Sequence, residues 1–226
     1  ILLDSLNDPV SLCAIDISEE QLKVSSSIIR KAYPKLEVLT VAADFTSVLK
    51  IPKSQRLTES KVAFFPGSTI GNFKPVDAIA FLQTICKTIG KNGKLLIGVD
   101  LKKDCECLLK AYDDNYGITE AFNKNLLTRI NQELGADFNL NLFRHIVRFN
   151  TFEGRIEMHL ESCIDQVVSI GERDFFFSAG ETIHTENSYK YYIDEFIELA
   201  ASSGLEKIAT WTDRENLFAV ILFEVK

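Results

Sequence analysis

The stretch Lys61–Phe73, with the sequence KVAFFPGSTIGNF, decides the fold of this chain. Its apolar half ends at Pro66–Gly67, and a helical pattern begins shortly after Asn72. A short apolar run bounded by glycine and proline is typical of a buried strand. The turn after it therefore lies beyond the carboxyl end of a central strand, where open α/β sheets bind their ligands. Gly67 and Gly71 either let a ligand approach the backbone or supply a positive φ; an ordinary strand-to-helix turn is the alternative interpretation.

The composition limits the class of protein. With 226 residues, 46% of them hydrophobic, the chain can bury the core of one large domain or two small ones. Its net charge of −7, with no long basic run, argues against a nucleic-acid surface. No apolar run approaches the ~18 residues of a membrane span. The five cysteines are odd in number and favour reduced thiols in a cytoplasmic protein.

The order of apolar patterns predicts an α/β fold. Continuous apolar strands are expected at 10–18, 36–45, 61–67 and 95–101, with helices at 19–33 and 76–89. Continuous apolar runs separated by helices indicate parallel strands covered on both faces. The strands at 205–211 and 217–225, with a helix at 192–201, are expected to complete this sheet.

A different pattern separates these two parts. Helices are predicted at 104–116 and 118–134, the second with an apolar face at steps of four formed by Ile118, Phe122, Leu126, Ile130 and Leu134. Shorter alternating runs at 143–149, 156–161, 166–170 and 175–177 indicate antiparallel strands. We therefore expect one domain from 1–102 and 192–226, and an inserted α+β domain at 103–191.

Two successive predicted strands end in an acid, Asp16 and Asp44. A carboxylate in this place can accept both hydroxyls of a ribose. Asp44 followed by Phe45 suits an adenine, because the acid accepts from the exocyclic amine while the ring packs on the base. Aspartates also end strands as turn formers or helix N-caps. Together with the Gly-Ser-Thr loop, the two acids favour an adenosine site.

Long stretches of the chain resemble a known family. FFPGSTIGNF, LLIGVDL, AYDDNYGITEAFNKNLLTRINQELGADFN, RIEMHLES and AGETIHTENSYKY resemble the S-adenosylmethionine-dependent histidine N-α-methyltransferases of ergothioneine biosynthesis, in the same order from about residue 10 to 226. The resemblance implies a Rossmann-like class I methyltransferase sheet, mostly parallel with an antiparallel last strand. It also implies methylation of the α-amino nitrogen of L-histidine to the trimethyl betaine, with S-adenosylmethionine as the cofactor and an amino acid as the small-molecule partner.

The same resemblance implies the roles of individual residues. On the cofactor side, Asp16 would hold the ribose, and Asp44 with Phe45 the adenine. Gly67 would border both cofactor and substrate. The remaining residues would bind the substrate: Asn72 and Tyr112 its α-carboxylate, and Met158, Glu186 and Ser188 its side chain, the last two by hydrogen bonds to the imidazole. Positioning by Asn72 and Tyr112, with no acid or base catalyst, is the expected mechanism.

Some features depart from the family or leave alternatives open. The family carries a Gly-rich loop after its first strand, whereas this chain has eleven glycines and no G-x-G. Because Ile1–Leu6 matches the helix after that loop, we expect the 226-residue chain to fold but to be inactive by itself. A nicotinamide-dependent oxidoreductase, a non-catalytic binding module and another acceptor such as tryptophan remain alternatives. No metal site is expected, because Cys105-x-Cys107 has no second pair beside it and the three histidines lack ligand spacing. The oligomeric state is not predicted.

Overall fold

The computed structural model describes residues 1–58 and 60–226. Its α-helices are α1 (Leu2–Ser5), α2 (Glu19–Ala32), α3 (Pro75–Ile89), α4 (Cys105–Tyr112), α5 (Ile118–Leu134) and α6 (Ile193–Ser202). Its strands are β1 (Ser11–Asp16), β2 (Glu37–Ala42), β3 (Val62–Phe65), β4 (Lys94–Asp100), β5 (Phe143–Asn150), β6 (Arg155–Ser162), β7 (Gln166–Ile170), β8 (Arg173–Phe177), β9 (Thr182–Tyr189), β10 (Leu205–Thr212) and β11 (Phe218–Val225). Single turns of 3-10 helix lie at Thr69–Asn72 and Leu140–Leu142. No helix in the described ranges is long and apolar enough to cross a membrane.

The strands of the α/β part form two pieces of sheet. The first piece is the parallel pair β1 and β2, and the second has the order β10-β11-β4-β3. β3 is parallel to β4, whereas β11 is antiparallel to both β4 and β10. The prediction of a mostly parallel sheet with an antiparallel last strand is therefore confirmed. Within the described residues β1 pairs with β2 alone and β3 with β4 alone, so the sheet is not continuous as the strand order suggested.

The main core lies on the central strand β4. Leu95, Ile97 and Val99 have no exposed surface, since β4 lies between β3 and β11. Alternate residues of β11 are buried in the same way, and α3 and α6 cover the sheet with Leu82 and Phe196 among others. This packing fixes the carboxyl ends of β3 and β4, where the loop 66–72 begins.

A second region is built on antiparallel strands. β5, β6 and β9 form one sheet in that order, and β7 pairs with β8. The sequence pattern did not predict β9, because its residues TIHTENSY offer little apolar alternation. The segment containing these strands leaves and rejoins the main sheet at one point: Leu101 and Tyr191 form a parallel bridge, and the Lys102 N–H donates to the Tyr191 carbonyl oxygen at 3.0 Å.

The orientation of α5 differs from the prediction. Ile118, Phe122 and Leu134 are 69%, 64% and 60% exposed, so the apolar row at steps of four does not face the core. The helix instead buries Asn123 and Leu127. The Asn123 side chain donates to the carbonyl oxygen of His159 at 3.2 Å and contacts the His145 ring at 2.9 Å. These polar contacts with β5 and β6 set the rotation of the helix, which apolar periodicity alone did not reveal.

Candidate functional site

The loop after β3 is fixed to the end of β4. Gly67 has φ +68°, a left-handed conformation that favours glycine. The Ser68 hydroxyl accepts a hydrogen bond from the Asp100 N–H at 2.9 Å. A Cβ on Gly98 would collide with the Gly67 carbonyl oxygen, so the loop passes directly over the strand. The loop thus lies at the carboxyl edge of the sheet, as predicted.

The other end of this loop is packed on β9. A Cβ on Gly71 would lie 2.7 Å from the Tyr189 carbonyl oxygen and 3.5 Å from the Ser188 hydroxyl. The alternative of a close ligand approach at Gly71 is therefore corrected, because the group that approaches this glycine is the backbone of the protein itself. The neighbouring Asn72 is exposed, and its side chain is near enough to Glu186 to lower the pKa of that carboxyl.

The pairing of β6 with β9 puts the predicted side-chain pocket residues together. Met158 lies opposite Glu186, and Ile156 opposite Ser188, in the antiparallel register. Residues two apart on a strand share a face, so Glu186 and Ser188 point to one side. Met158 is 3% exposed and Glu186 is half-buried. Burial raises the pKa of Glu186, while the hydrogen bond from Asn72 and the charge of Lys190 act in the opposite direction.

Tyr112 joins this group from the end of α4. Its hydroxyl lies 2.7 Å from the Ser188 hydroxyl and accepts a hydrogen bond from Lys190 Nζ at 2.8 Å. The Lys190 side chain has 0% exposed surface and forms an ion pair with Asp100 at 2.6 Å. Lys190 and Asp100 were not among the predicted site residues. The signal that could have found Lys190 is a cation inside the aromatic run YKYY at 189–192.

The position of Tyr112 is supported from behind. His145 Nε2 lies 2.9 Å from the Tyr112 carbonyl oxygen, and its Nδ1 lies 2.9 Å from the Asn123 amide nitrogen. An amide donor at Nδ1 and a carbonyl acceptor at Nε2 require the neutral Nε2–H tautomer. The helix predicted at 104–116 ends at Tyr112 in the structure. Asp114 accepts backbone N–H groups of the following turn, including that of Thr119 at 2.8 Å, and these bonds lower the pKa of its carboxyl to about 2. The motif AYDD therefore sets the position of Tyr112 at the end of α4, and its last residue, Asp114, accepts N–H groups of the first turn of α5.

The predicted cofactor residues form a separate group. Asp16 is the last residue of β1 and is paired in register with Ala42, the last residue of β2, so that Asp44 follows the neighbouring strand at the same edge. Asp16 Oδ1 accepts from the Ser18 N–H at 2.8 Å. Asp44 Oδ1 accepts from the N–H and the hydroxyl of Thr46 at 2.8 and 2.7 Å, which lowers the pKa of its carboxyl. Each acid thus makes the local contacts of a turn former, and its other oxygen has no side-chain hydrogen bond to any residue that the structure describes.

Phe45 connects this group to the main core. Its ring makes edge contacts with Phe65 and Phe81, at centroid distances of 5.7 and 5.9 Å. The ring is half-buried. Because Phe65 is the last residue of β3, Phe45 lies next to the start of the Gly67 loop. In the described part of the chain, no hydrogen bond joins Asp16 or Asp44 to the group around Tyr112.

Three potential metal ligands also come together, contrary to the spacing argument. Donor atoms of Glu157, His159 and His184 lie within 4.8 Å of one another. The carboxylate of Glu157 is held by Arg155 at 2.7 Å, and although burial raises its pKa, bonds from Asn150, Arg155 and His159 lower it to about 2. The two imidazole rings are stacked at 4.5 Å with 21° between their planes. Nearly parallel rings do not direct their nitrogen lone pairs at one ion.

Comparisons with known proteins show which family this chain is similar to. The profile of a family described as histidine-specific, SAM-dependent methyltransferases matches residues 1–225. A histidine N-alpha-methyltransferase of Mycolicibacterium smegmatis is 37% identical over 98% of this chain and 70% of its own length. Ergothioneine biosynthesis protein 1 of Neurospora crassa is 29% identical over 93% of this chain and 24% of its own length. A solved S-adenosylmethionine-dependent methyltransferase from Clostridium acetobutylicum has a similar fold, with a TM-score of 0.50 and 10% identity over 94% of this chain and 74% of its own.

Proposed function

The chain belongs to the family of histidine-specific, S-adenosylmethionine-dependent methyltransferases, and we propose that it methylates the α-amino nitrogen of L-histidine. The observation that carries the proposal is the meeting of one set of side chains: Asn72, Tyr112, Met158, Glu186 and Ser188. They come from four separate stretches of the sequence and include donors for a carboxylate, an acceptor for an imidazole and an apolar wall. An amino acid with a polar ring is the substrate that this combination suits.

The substrate is proposed to bind by both of its ends. The Asn72 amide and the Tyr112 hydroxyl donate to the α-carboxylate without adding a charge that would compete for it. Glu186 accepts an imidazole N–H, and Ser188 bonds the same ring. Such a site rejects apolar side chains, because they would leave the buried polar groups without partners.

The residues after β1 and β2 fit the cofactor by the chemistry of their donors and acceptors. Carboxylates only accept hydrogen bonds, and a ribose diol and an adenine amine both donate them. We propose that Asp16 holds the ribose, that Asp44 and Phe45 hold the adenine, and that Gly67 borders both ligands. When bound, S-adenosylmethionine supplies a sulfonium methyl group, whose carbon–sulfur bond breaks as a carbon–nitrogen bond to the substrate amine forms.

The chain contributes position rather than proton transfer to this reaction. An α-amine has a pKa of roughly 8 and attacks in its neutral form. A site that removes water from the ammonium favours the neutral amine. Holding the nitrogen about 3–3.5 Å from the methyl carbon supplies most of the acceleration. After each of the first two transfers the product nitrogen loses a proton to water and the spent cofactor is exchanged, so that three rounds on the same nitrogen give the trimethyl betaine.

The domain division is likewise a proposal. We assign 1–102 and 192–226 to cofactor binding and 103–191 to substrate recognition. The bridge between Leu101 and Tyr191 supports it, since the insert enters and leaves at adjacent points. All five cysteines are free, which supports the proposal of a reducing, cytoplasmic location.

The test is methyl transfer by the full-length protein. We expect mass spectrometry to show one, two and three methyl groups added to L-histidine in the presence of S-adenosylmethionine. Tryptophan in place of histidine, and NAD in place of the methyl donor, are the comparison arms. Faster methylation of tryptophan, or binding of NAD without methyl transfer, would contradict the proposal.

A further inference from the structure

We propose that Lys190 is a positioning residue for the carboxylate of the substrate, acting through the hydroxyls of Tyr112 and Ser188. The inference rests on the proposed function in one respect, that the ligand is an amino acid. Lys190 lies on the segment that rejoins the sheet, and its side chain is entirely buried. A buried ammonium group is costly unless it is paired and hydrogen-bonded.

All three protons of this ammonium group are already used. Nζ lies 2.6 Å from Asp100 Oδ2, 2.8 Å from the Tyr112 hydroxyl and 2.8 Å from the Ser188 hydroxyl. A lysine has three N–H donors and no acceptor. Lys190 therefore has no donor left for a ligand, and it can influence one only through its partners.

The two hydroxyls leave one proton for a ligand. Both oxygens accept from Lys190, and they lie 2.7 Å from each other. Only one of their two protons can lie between them, so the other has no acceptor within the described part of the chain. The pair thus presents one O–H donor with a positive charge directly behind it, and this arrangement suits an anionic acceptor such as a carboxylate.

The charge of Lys190 is not fully cancelled by its partner. Asp100 is shared with a second cation, since Lys103 Nζ lies 2.5 Å from its other oxygen. The charge of Lys190 also acts on Glu186 and lowers the pKa of its carboxyl, against the larger effect of burial. If Tyr112 donates its proton to the substrate, Ser188 donates to Tyr112 and keeps a lone pair that can accept an imidazole N–H. Lys190 would in this way set the directions of both hydrogen bonds.

A purely structural role is the competing explanation. Lys190 and Asp100 also connect the insert to the main sheet beside the bridge of Leu101 and Tyr191. The loss of that connection would weaken every ligand alike. A carboxylate role would instead change the preference for ligands that carry a carboxylate.

The experiment compares L-histidine with L-histidinamide, which lacks the carboxylate charge. Dissociation constants are measured by calorimetry on the full-length protein saturated with S-adenosylhomocysteine. We expect the wild type to bind histidine more tightly than the amide. Lys190→Met should weaken histidine binding by about 10- to 100-fold and change amide binding little, since it removes the positive charge behind the O–H donor to the carboxylate. Lys102→Met, which removes a lysine at the same junction that pairs with Glu195 and contacts neither hydroxyl, is the matched control and should keep the wild-type ratio of the two constants.

If Lys190→Met leaves the ratio of the histidine and histidinamide dissociation constants unchanged, because it weakens both ligands equally or neither, the inference is overturned. Tyr112→Phe covers the case in which Lys190→Met does not fold, because it keeps the ion pair and removes the hydroxyl that relays its charge. This variant should lose the same preference for the carboxylate, and a retained preference would also overturn the inference. Methyl transfer by the wild type is measured separately, so that failure of the proposed reaction is distinguished from failure of the carboxylate assignment.

Discussion

The acids after β1 and β2 and the polar groups around Lys190 are held in two different ways. Asp16 and Asp44 each bond to residues two positions further along the chain. Lys190 bonds to Asp100 and Tyr112, which are 90 and 78 residues away in sequence. The first arrangement depends on a local turn, and the second on the complete fold. We therefore expect variants of Asp16 and Asp44 to change the affinity for the cofactor alone. Variants around Lys190 should change the binding of the substrate through several neighbouring side chains at once.

The largest effect is expected from Glu186→Ala. The substrate imidazole then loses its acceptor inside the pocket, and we expect the kcat/KM for histidine to fall by about 10- to 100-fold. Affinity for S-adenosylmethionine should stay nearly constant, and the gap between histidine and a large apolar amino acid should narrow. Steady-state kinetics with both acceptors measure this.

Glu181→Ala is the control for that variant, since this acid is exposed and its carboxylate bonds, among the residues that the structure describes, only to the Ser178 N–H of its own turn. Unchanged histidine kinetics in Glu186→Ala would mean that Glu186 is a solvated strand residue. The pocket formed by Met158, Glu186 and Ser188 would then have to be withdrawn.

The next effect tests the cofactor side. Asp16→Ala removes a carboxylate that is proposed to accept both ribose hydroxyls, and S-adenosylmethionine should bind at least ~10-fold more weakly. Calorimetric titration of the full-length protein measures the change, and thermal unfolding should be little affected. Asp137→Ala, which removes a similar acceptor of a backbone N–H at Ser169, should leave cofactor affinity unchanged. Wild-type affinity in Asp16→Ala would show that Asp16 is only a turn former.

A smaller effect on binding is expected where the loop meets β9. The new Cβ of Gly71→Ala meets the Tyr189 backbone, so the loop has to shift, and overpacking of this kind costs roughly 1–3 kcal/mol of stability. We expect a lower unfolding temperature and a several-fold higher KM for histidine, because Asn72 moves with the loop. A variant with wild-type stability and kinetics would show that the loop is not held by this contact.

The smallest effect is a dependence of stability on pH. Burial raises the pKa of Glu186, so the native state binds this proton more tightly than the unfolded chain does. The free energy of unfolding contributed by Glu186 therefore decreases as the pH rises from about 4.3, the usual value of a glutamate, through the raised native value. Glu186→Gln should be slightly more stable than the wild type at pH 7 and equal to it below about pH 4. Denaturant unfolding of both proteins at both pH values measures the difference. A difference in unfolding free energy that is the same at pH 7 and below pH 4 would contradict the prediction.

How much could be predicted depended on whether a contact is local. The strands with continuous apolar runs and the helix Ile118–Leu134 were placed correctly, because periodicity and terminal glycines are local signals. The face of that helix was predicted wrongly, since Asn123 is oriented by partners on β5 and β6. The strand β9 was missed because its polar residues are stabilised by pairing with β6.

The candidate site shows the same limit. The resemblance named the side chains that would touch the ligands, and the structure brings the substrate-side members together. It did not name Lys190 or Asp100, which lie behind those side chains. A buried ion pair between distant segments leaves no spacing signal in a single sequence, and the cation within the aromatic run at 189–192 pointed to Lys190 but not to its partner Asp100.

The junction between Leu101 and Tyr191 has a consequence for how acceptor choice could diversify. Because the segment between Leu101 and Tyr191 leaves and rejoins the main sheet at one bridge, its length and composition can change without altering the order of the strands in that sheet. Asp100 and Lys190 lie next to this bridge, each directly before one of its two residues, and they form an ion pair. A replacement insert that kept this lysine and the hydroxyls of Tyr112 and Ser188 would keep the proposed anchor for the carboxylate of an amino acid, while its other residues could select a new side chain. Substrate choice within one fold would then change by exchange of the inserted segment, with the ion pair of Asp100 and Lys190 retained.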